Sequence, residues 1–189
     1  MNNKILCVTL FLLMPMASLA ANNLFIIEED AQNGFVMYRS GSPDQTDVAE
    51  FCELGIQEIM VLSGNADQAE WKFQNQCPTL KVIYNVDQDS KTPLDKKFLD
   101  FFDSWVLEAK VQGKKIAFRC DCGCHRTGRL AGYYQMKYQK LTYADAAMIM
   151  TDHGKFMGLF SYLYEQLKGL EDYIHGRPCS VEAKYCVRE

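Results

Sequence analysis

Three cysteines, an aspartate, a histidine and an arginine fall within seven consecutive residues, Cys120 to Arg126, interrupted only by Gly123. A short β-rich run, residues 115–119, leads into them, and a helical pattern begins near Thr127. A chain that leaves a strand and curls into a helix start aims several successive backbone N–H groups at one point, and that point favours an anion. A phosphate dianion suits it. So does a thiolate, because the same dipoles lower the pKa of a cysteine at the base of the loop. Gly123 allows the tight backbone path, and the N–H groups of Asp121, Cys122, Gly123, Cys124, His125 and Arg126 form the cradle. Arg126 can fork two N–H bonds onto two phosphate oxygens, which a lysine could do only as a point charge. Cys120 then lies beneath the phosphorus. In-line attack by its sulfur gives a cysteinyl-phosphate and splits one hard step into two easier ones. The Thr127 hydroxyl can donate to that sulfur, stabilising the thiolate and later assisting its departure.

The elements around the loop alternate. Residues 24–27 and 35–38 read as short strands about a polar turn at 28–34, and 44–54 as a helix with Val48, Phe51, Cys52 and Ile56 towards a core. Runs 57–62 and 80–85 read as strands separated by a helix over 66–75. Pro93 opens a longer helix to about residue 111, whose Phe98, Phe101, Phe102 and Trp105 form a packing stripe. Helices follow over 143–152 and 155–173. No repeat or linker divides the chain, so the expectation is one α/β domain: a mainly parallel sheet with helices on both faces, ligands binding beyond the carboxyl ends of the strands.

The first twenty residues stand apart. Lys4, an apolar run over 5–17 broken by Pro15, and Ser18-Leu19-Ala20 have the pattern of a signal peptide cleaved after Ala20. The run is shorter than the ~20 residues a spanning helix requires. The expected organisation is a leader at 1–20, a domain at 21–174 and a cysteine-bearing tail at 175–189, exported to a periplasm or secreted, with no membrane association in the mature form. The formal charge of −4 excludes general nucleic-acid binding, since no run of Lys and Arg could line a groove.

Of eight cysteines, Cys7 falls in the leader, leaving seven. An odd number in an oxidising compartment leaves at least one thiol unpaired within the monomer. Cys179 and Cys186 have loop-closing spacing, and Cys52 with Cys77 is a candidate second bridge, although spacing alone does not fix connectivity. Cys120, Cys122, Cys124 and His125 together also offer a zinc set. Structural zinc sites, however, gather cysteines two or more residues apart together with a distant pair, so no metal or other cofactor is expected.

The run Arg119-Cys-Asp-Cys-Gly-Cys-His-Arg-Thr-Gly128 resembles the signature loop of the cysteine-dependent tyrosine and dual-specificity phosphatases. Tyr38-Arg-Ser-Gly-Ser-Pro43, Leu54-Gly-Ile-Gln-Glu-Ile-Met-Val-Leu62 and His125-Arg-Thr-Gly-Arg-Leu-Ala-Gly-Tyr-Tyr134 resemble, in order, the atypical dual-specificity branch of bacteria, fungi and plants. The likeness spans roughly residues 35–150. It implies a phosphoric monoester hydrolase with Cys120 as nucleophile and Arg126 as phosphate binder, acting on phosphotyrosine or other phosphoprotein, or on inositol polyphosphates. It also implies a general acid, an Asp on a loop some thirty residues before the nucleophile. Asp87 and Asp89 both qualify, and Asp87 follows its strand more closely. Arg39 and Ser40 fall in the segment that lies on the active-site side of the fold in that family.

Two departures stand out. Arg119 replaces the family's His before the nucleophile, and its charge could itself favour the thiolate. Cys122 and Cys124 could bridge to Cys120 after export, protecting or silencing it. The alternative reading is therefore a redox-regulated pseudophosphatase, an anion-binding module with an oxidised loop. His125 either touches substrate or caps the loop. His153, His175, Lys114 and Arg129 read as surface residues.

Overall fold

Residues Phe35–Ser40 are inaccessible at every position, as expected of a strand covered on both faces, and they form β2 near the middle of a five-stranded sheet. The computed structural model describes residues 22–189. The expected leader and Cys7 lie outside the described residues. The strands are β1 (Phe25–Asp30), β2, β3 (Glu58–Val61), β4 (Lys81–Asn85) and β5 (Lys115–Arg119), in the spatial order β1-β2-β5-β3-β4. Only β1 is antiparallel to its neighbour; the other pairings are parallel.

Period-2 alternation sorts the side chains between two cores. Val36, Tyr38, Ile59 and Ala117 pack with Val48 and Phe51 of helix α1 (Gln45–Glu53). From the other face, Phe35, Met37, Met60, Ile116 and Phe118 meet α2 (Lys96–Gln112), α3 (His125–Tyr138), α4 (Tyr143–Asp152) and α5 (Tyr162–Ile174). The aromatic stripe of α2 centres on Phe102, whose ring meets Trp105, Phe118, Tyr133 and Tyr134. The expected single α/β domain with helices on both faces is what the chain forms. Among the described residues no helix is long and apolar enough to cross a membrane.

Boundaries differ from the sequence expectation where tertiary partners decide them. The expected polar turn at 28–34 shrinks, and β1 continues through Asp30, because Glu28 is accommodated in the strand by Lys110 Nζ at 2.5 Å and Tyr134 Oη at 2.6 Å. The expected helix at 66–75 is a 3-10 turn, Ala66–Gln68, followed by irregular turns, with Glu70 drawn inward to Arg119. Pro93 does not open α2. Asp95 caps it through Phe98 N–H at 2.8 Å, while Leu94 and Lys96 pair with the main chain of Arg188. The 155–173 helix is interrupted by a 3-10 turn, Met157–Phe160, after Phe156 takes a left-handed conformation, φ 54°. Finally, α3 begins two residues earlier than expected, at His125.

Cys52 pairs with Cys77 and Cys179 with Cys186, leaving Cys120, Cys122 and Cys124 as thiols. Lys114 is no free surface charge, since its side chain is largely covered and pairs with Glu58 at 2.7 Å. His175 is exposed, whereas His153 is half-buried with its ring 4.1 Å from that of Phe25.

Candidate active site

Beyond the carboxyl ends of β3, β4 and β5 lies a cavity of about 530 Å³ walled by Asp87, Asp89, Cys120, Cys122, His125, Arg126 and Phe160, among others. Its floor is the loop from β5 into α3. No side chain caps the N-terminus of α3, so its first-turn amides carry the partial positive charge of an open helix end towards the loop. Gly123 turns the loop at φ 68°, and a Cβ there would stand 2.7 Å from Ser40 O and Gly41 N. The loop therefore rests directly on the main chain at the end of β2, which only glycine permits.

Cys120 is 2 % exposed. Its thiol is held well below the ordinary range, first by a hydrogen bond from the Cys122 thiol, then by the Thr127 hydroxyl and N–H and by the charge of Arg126, together outweighing burial. The same contact pushes Cys122 up, so Cys122 remains a protonated donor. Its sulfur is oriented by the N–H of Cys124 at 3.1 Å. The Thr127 hydroxyl is buried and unpartnered in the geometry of the described residues, so it is free to turn its proton to the Cys120 sulfur. Cys122, a disulfide candidate from sequence, is here a donor to Cys120, a role for which the Cys-x-Cys spacing is the available signal.

Arg126 reaches out of the floor. Its Nη1 donates to Asp87 Oδ1 at 2.6 Å and to Leu62 O at 3.2 Å, and its Nη2 donates to Asp121 Oδ2 at 2.6 Å. Asp121 is itself held by Asn65 Nδ2 at 2.9 Å. The guanidinium thus lies across the cavity in a fixed plane, with both carboxylate partners mostly exposed, at 76 % for Asp87 and 58 % for Asp121. Partners this wet bind weakly enough to be exchanged for an incoming dianion.

The two candidate acids separate by environment. Asp89 accepts from Lys91 N–H and Thr92 Oγ1, each at 2.9 Å, and these bonds hold its carboxyl below the usual carboxylate range. It closes a turn. Asp87 carries no such anchor and meets Arg126 at the cavity mouth.

Other residues singled out from sequence are placed as follows. Arg39 is buried beneath the floor, donating to Gly123 O at 2.7 Å, and burial lowers its pKa to about 10 against the raising influence of the three loop thiols. It supports the loop from below. Arg119, expected to favour the thiolate by its charge, is instead fully buried in a two-bond pair with Glu70, at 2.8 and 2.5 Å, and also donates to Ser63 and Asn65. That charge is paired with Glu70 rather than directed at Cys120. His125 Nε2 donates to Lys155 O at 2.8 Å and its ring stacks on Phe160 at 3.6 Å, tying α3 to the segment between α4 and α5. Arg129 is buried, not solvated. Among the described residues no three Cys, His, Asp or Glu side chains converge as metal ligands.

Similar folds occur among solved structures. TpbA of P. aeruginosa superposes with a TM-score of 0.59 at 19 % identity, covering 74 % of this chain and 86 % of that one. The core catalytic domain of the PP-IP phosphatase SIW14 from S. cerevisiae, in complex with citrate, gives 0.61 at 17 % identity over 81 % and 88 %. Tk-PTP in its active form gives 0.59 at 17 % over 79 % and 97 %. No protein-family model matches the chain, and no curated protein matches it. At these identities the likeness shows the fold, that of the protein tyrosine and dual-specificity phosphatases, and the chain has that fold.

Proposed function

We propose that this chain hydrolyses phosphate monoesters through a cysteinyl-phosphate on Cys120. The observation that carries the reading is the pairing of a buried thiol held below its ordinary pKa with a guanidinium, Arg126, fixed across the same cavity above an uncapped helix start. The phosphoryl group would lie on the loop amides, with Arg126 exchanging Asp121 and Asp87 for two phosphate oxygens. Cys120 Sγ attacks in line as the ester oxygen leaves with a proton from Asp87. Water then attacks the thiophosphate, Asp87 taking its proton, and Cys120 departs as the thiolate stabilised by Cys122 and Thr127. Asp89 supports the turn that carries Asp87.

For the substrate, the cavity wall favours an aryl phosphate on protein. Its side chains include three acids, Asp87, Asp89 and Asp121, against one arginine, and Phe160 offers an aromatic rim. An inositol polyphosphate would call for several cations. A TpbA variant of the same fold is described in complex with pTyr, and SIW14 as a PP-IP phosphatase. Export through the leader is proposed on the pattern of residues 1–20 and the two disulfides. N-terminal sequencing of the mature protein should begin at Ala21, and an intact Met1 end refutes cleavage.

Activity on a phosphotyrosyl peptide should vanish in Cys120→Ser and resist chelators, while Asp87→Asn should lose about 10²-fold or more and Asp89→Ala much less. Equal losses for the two aspartates would reject the assignment of the acid. A second reading rests on the Cys122 contact: once oxidised, Cys120–Cys122 would leave an anion-binding module without a nucleophile. Mass spectrometry decides it. A Cys120 quantitatively bridged under native conditions, with no hydrolysis regained on reduction, favours the binding module.

A further inference from the structure

The loop carrying Asp87 is hollow on both sides. Asp87, Gln88 and Asp89 line the catalytic cavity in front and also a second cavity of about 220 Å³ behind, bounded by Arg129, Arg188 and Phe98. Apolar packing therefore does little to hold this segment, and hydrogen bonds must do it. Its near arm follows β3, with Val86 N–H and Gln88 N–H donating to Val61 O and Leu62 O at 3.2 and 3.0 Å. Its far arm, residues 89–92, leaves the sheet.

Three side chains from two helices converge on that far arm: Tyr162 Oη of α5 lies 2.8 Å from Ser90 Oγ, and two others bond its main chain. Arg129 of α3, three residues after the phosphate-binding Arg126, donates through Nη1 to Ser90 O at 3.2 Å, to Thr92 O at 2.7 Å and to Gln166 Oε1. Gln166 of α5 donates to Ser90 O at 3.2 Å and Lys91 O at 2.8 Å. Both side chains are 1 % exposed, and among the described residues no carboxylate forms a salt bridge with Arg129. A buried guanidinium without an ion pair is costly to retain, and here its hydrogen bonds, all from Nη1, go to two carbonyls of one loop and to the Gln166 side chain that binds the same loop.

We propose that Arg129 and Gln166 are positioning residues that latch the acid loop to the helix carrying Arg126, so that the proton donor and the phosphate clamp share one rigid frame. The proposal rests on the phosphatase reading above. Neither residue touches substrate. Their loss should weaken proton donation to the leaving group while sparing phosphate binding and thiolate attack.

Leaving-group dependence reads this directly. Gln166→Glu keeps the shape and the acceptor for Arg129 but removes both donors to the loop; Arg129→Lys keeps the charge but removes the Nη1 group that serves Ser90 O, Thr92 O and Gln166 Oε1. Each should reduce kcat/KM for phenyl phosphate, whose leaving group has a pKa of about 10 like that of tyrosine, by about 10-fold, part of the 10² to 10⁴ that a general acid supplies. Hydrolysis of dinitrophenyl phosphate, which needs no proton, should change less than about 2-fold, and competitive inhibition by inorganic phosphate should not change. Amide exchange over 88–92 should quicken while that of β5 stays as in the unsubstituted protein. A loss equal for both esters, no loss for either, or unaltered loop exchange overturns the latch. Absence of hydrolysis by the unsubstituted protein, or hydrolysis that survives Cys120→Ser, overturns the phosphatase reading and the catalytic purpose of the latch with it.

Discussion

Cys120 is buried, and burial alone would raise a thiol's pKa. The fold reverses this with four groups drawn from three nearby residues: the Cys122 thiol, the Thr127 hydroxyl, the Thr127 N–H and the Arg126 charge. Alkylation of Cys120 followed against pH should therefore have its midpoint well below the ordinary thiol value of ~8.5. Cys122→Ala should raise that midpoint, whereas Cys122→Ser, which still offers a donor, should hold it down. A midpoint unmoved by Cys122→Ala refutes the donor role. The same shift links to stability. A thiol whose pKa falls on folding stabilises the native state fully above its unfolded value, and that contribution is lost as pH falls through the lower folded value. Urea denaturation midpoints of the parent and Cys120→Ala should accordingly converge on acidification. The placing of Cys120, Gly123 and Arg126 in one loop between a strand and a helix was legible because a seven-residue loop is a local constraint. The partnership of Arg119 with Glu70 was not, since 49 residues separate them and only the folded chain brings them together.

At the scale of elements, β5, the signature loop and α3 form one unit whose position is set by contact with the end of β2. Gly123→Ala tests this, because the new Cβ would require φ 68° and would lie 2.7 Å from Ser40 O and Gly41 N, main-chain atoms that cannot swing aside. Strain of about 1–3 kcal/mol is expected, read as a lower denaturation midpoint, together with a loss of the proposed phosphatase activity larger than that stability change explains. Normal activity with normal stability would show that the loop does not rest on β2 as described. Strands were legible where residues are buried on both faces, as in β2 and β5. Boundaries failed where a distant residue chose them: Glu28 stayed in β1 because of Lys110 and Tyr134, and Glu70 left its helical pattern for Arg119. Period and propensity carry no record of such partners.

Across the whole molecule, the two disulfides have different tasks. Cys52–Cys77 joins α1 to the segment entering β4 across 25 residues, and Cys77 is fully buried in the α1-side core. Cys179–Cys186 closes only 7 residues in the tail, but that tail returns to the start of α2: Arg188 N–H donates to Leu94 O at 3.1 Å, Lys96 N–H to Arg188 O at 2.7 Å, and Arg188 Nε to Pro93 O at 3.1 Å. Spacing suggested the two pairings, yet nothing in the tail's composition indicated that it would reach the start of α2. Loop-closure entropy assigns about 3.5 kcal/mol to the longer bridge and about 2.4 kcal/mol to the shorter. Replacing Cys52 and Cys77 by Ala should thus lower the global urea midpoint more than replacing Cys179 and Cys186. Amide exchange at Lys96 and Arg188 should order the variants the other way, with the tail variant exchanging faster there because its local anchor is gone while the core stays closed. If the tail variant leaves exchange at both amides unchanged, the tail is held by its docking on α2 alone, and its disulfide has no part in supporting the segment from Pro93 to Lys96.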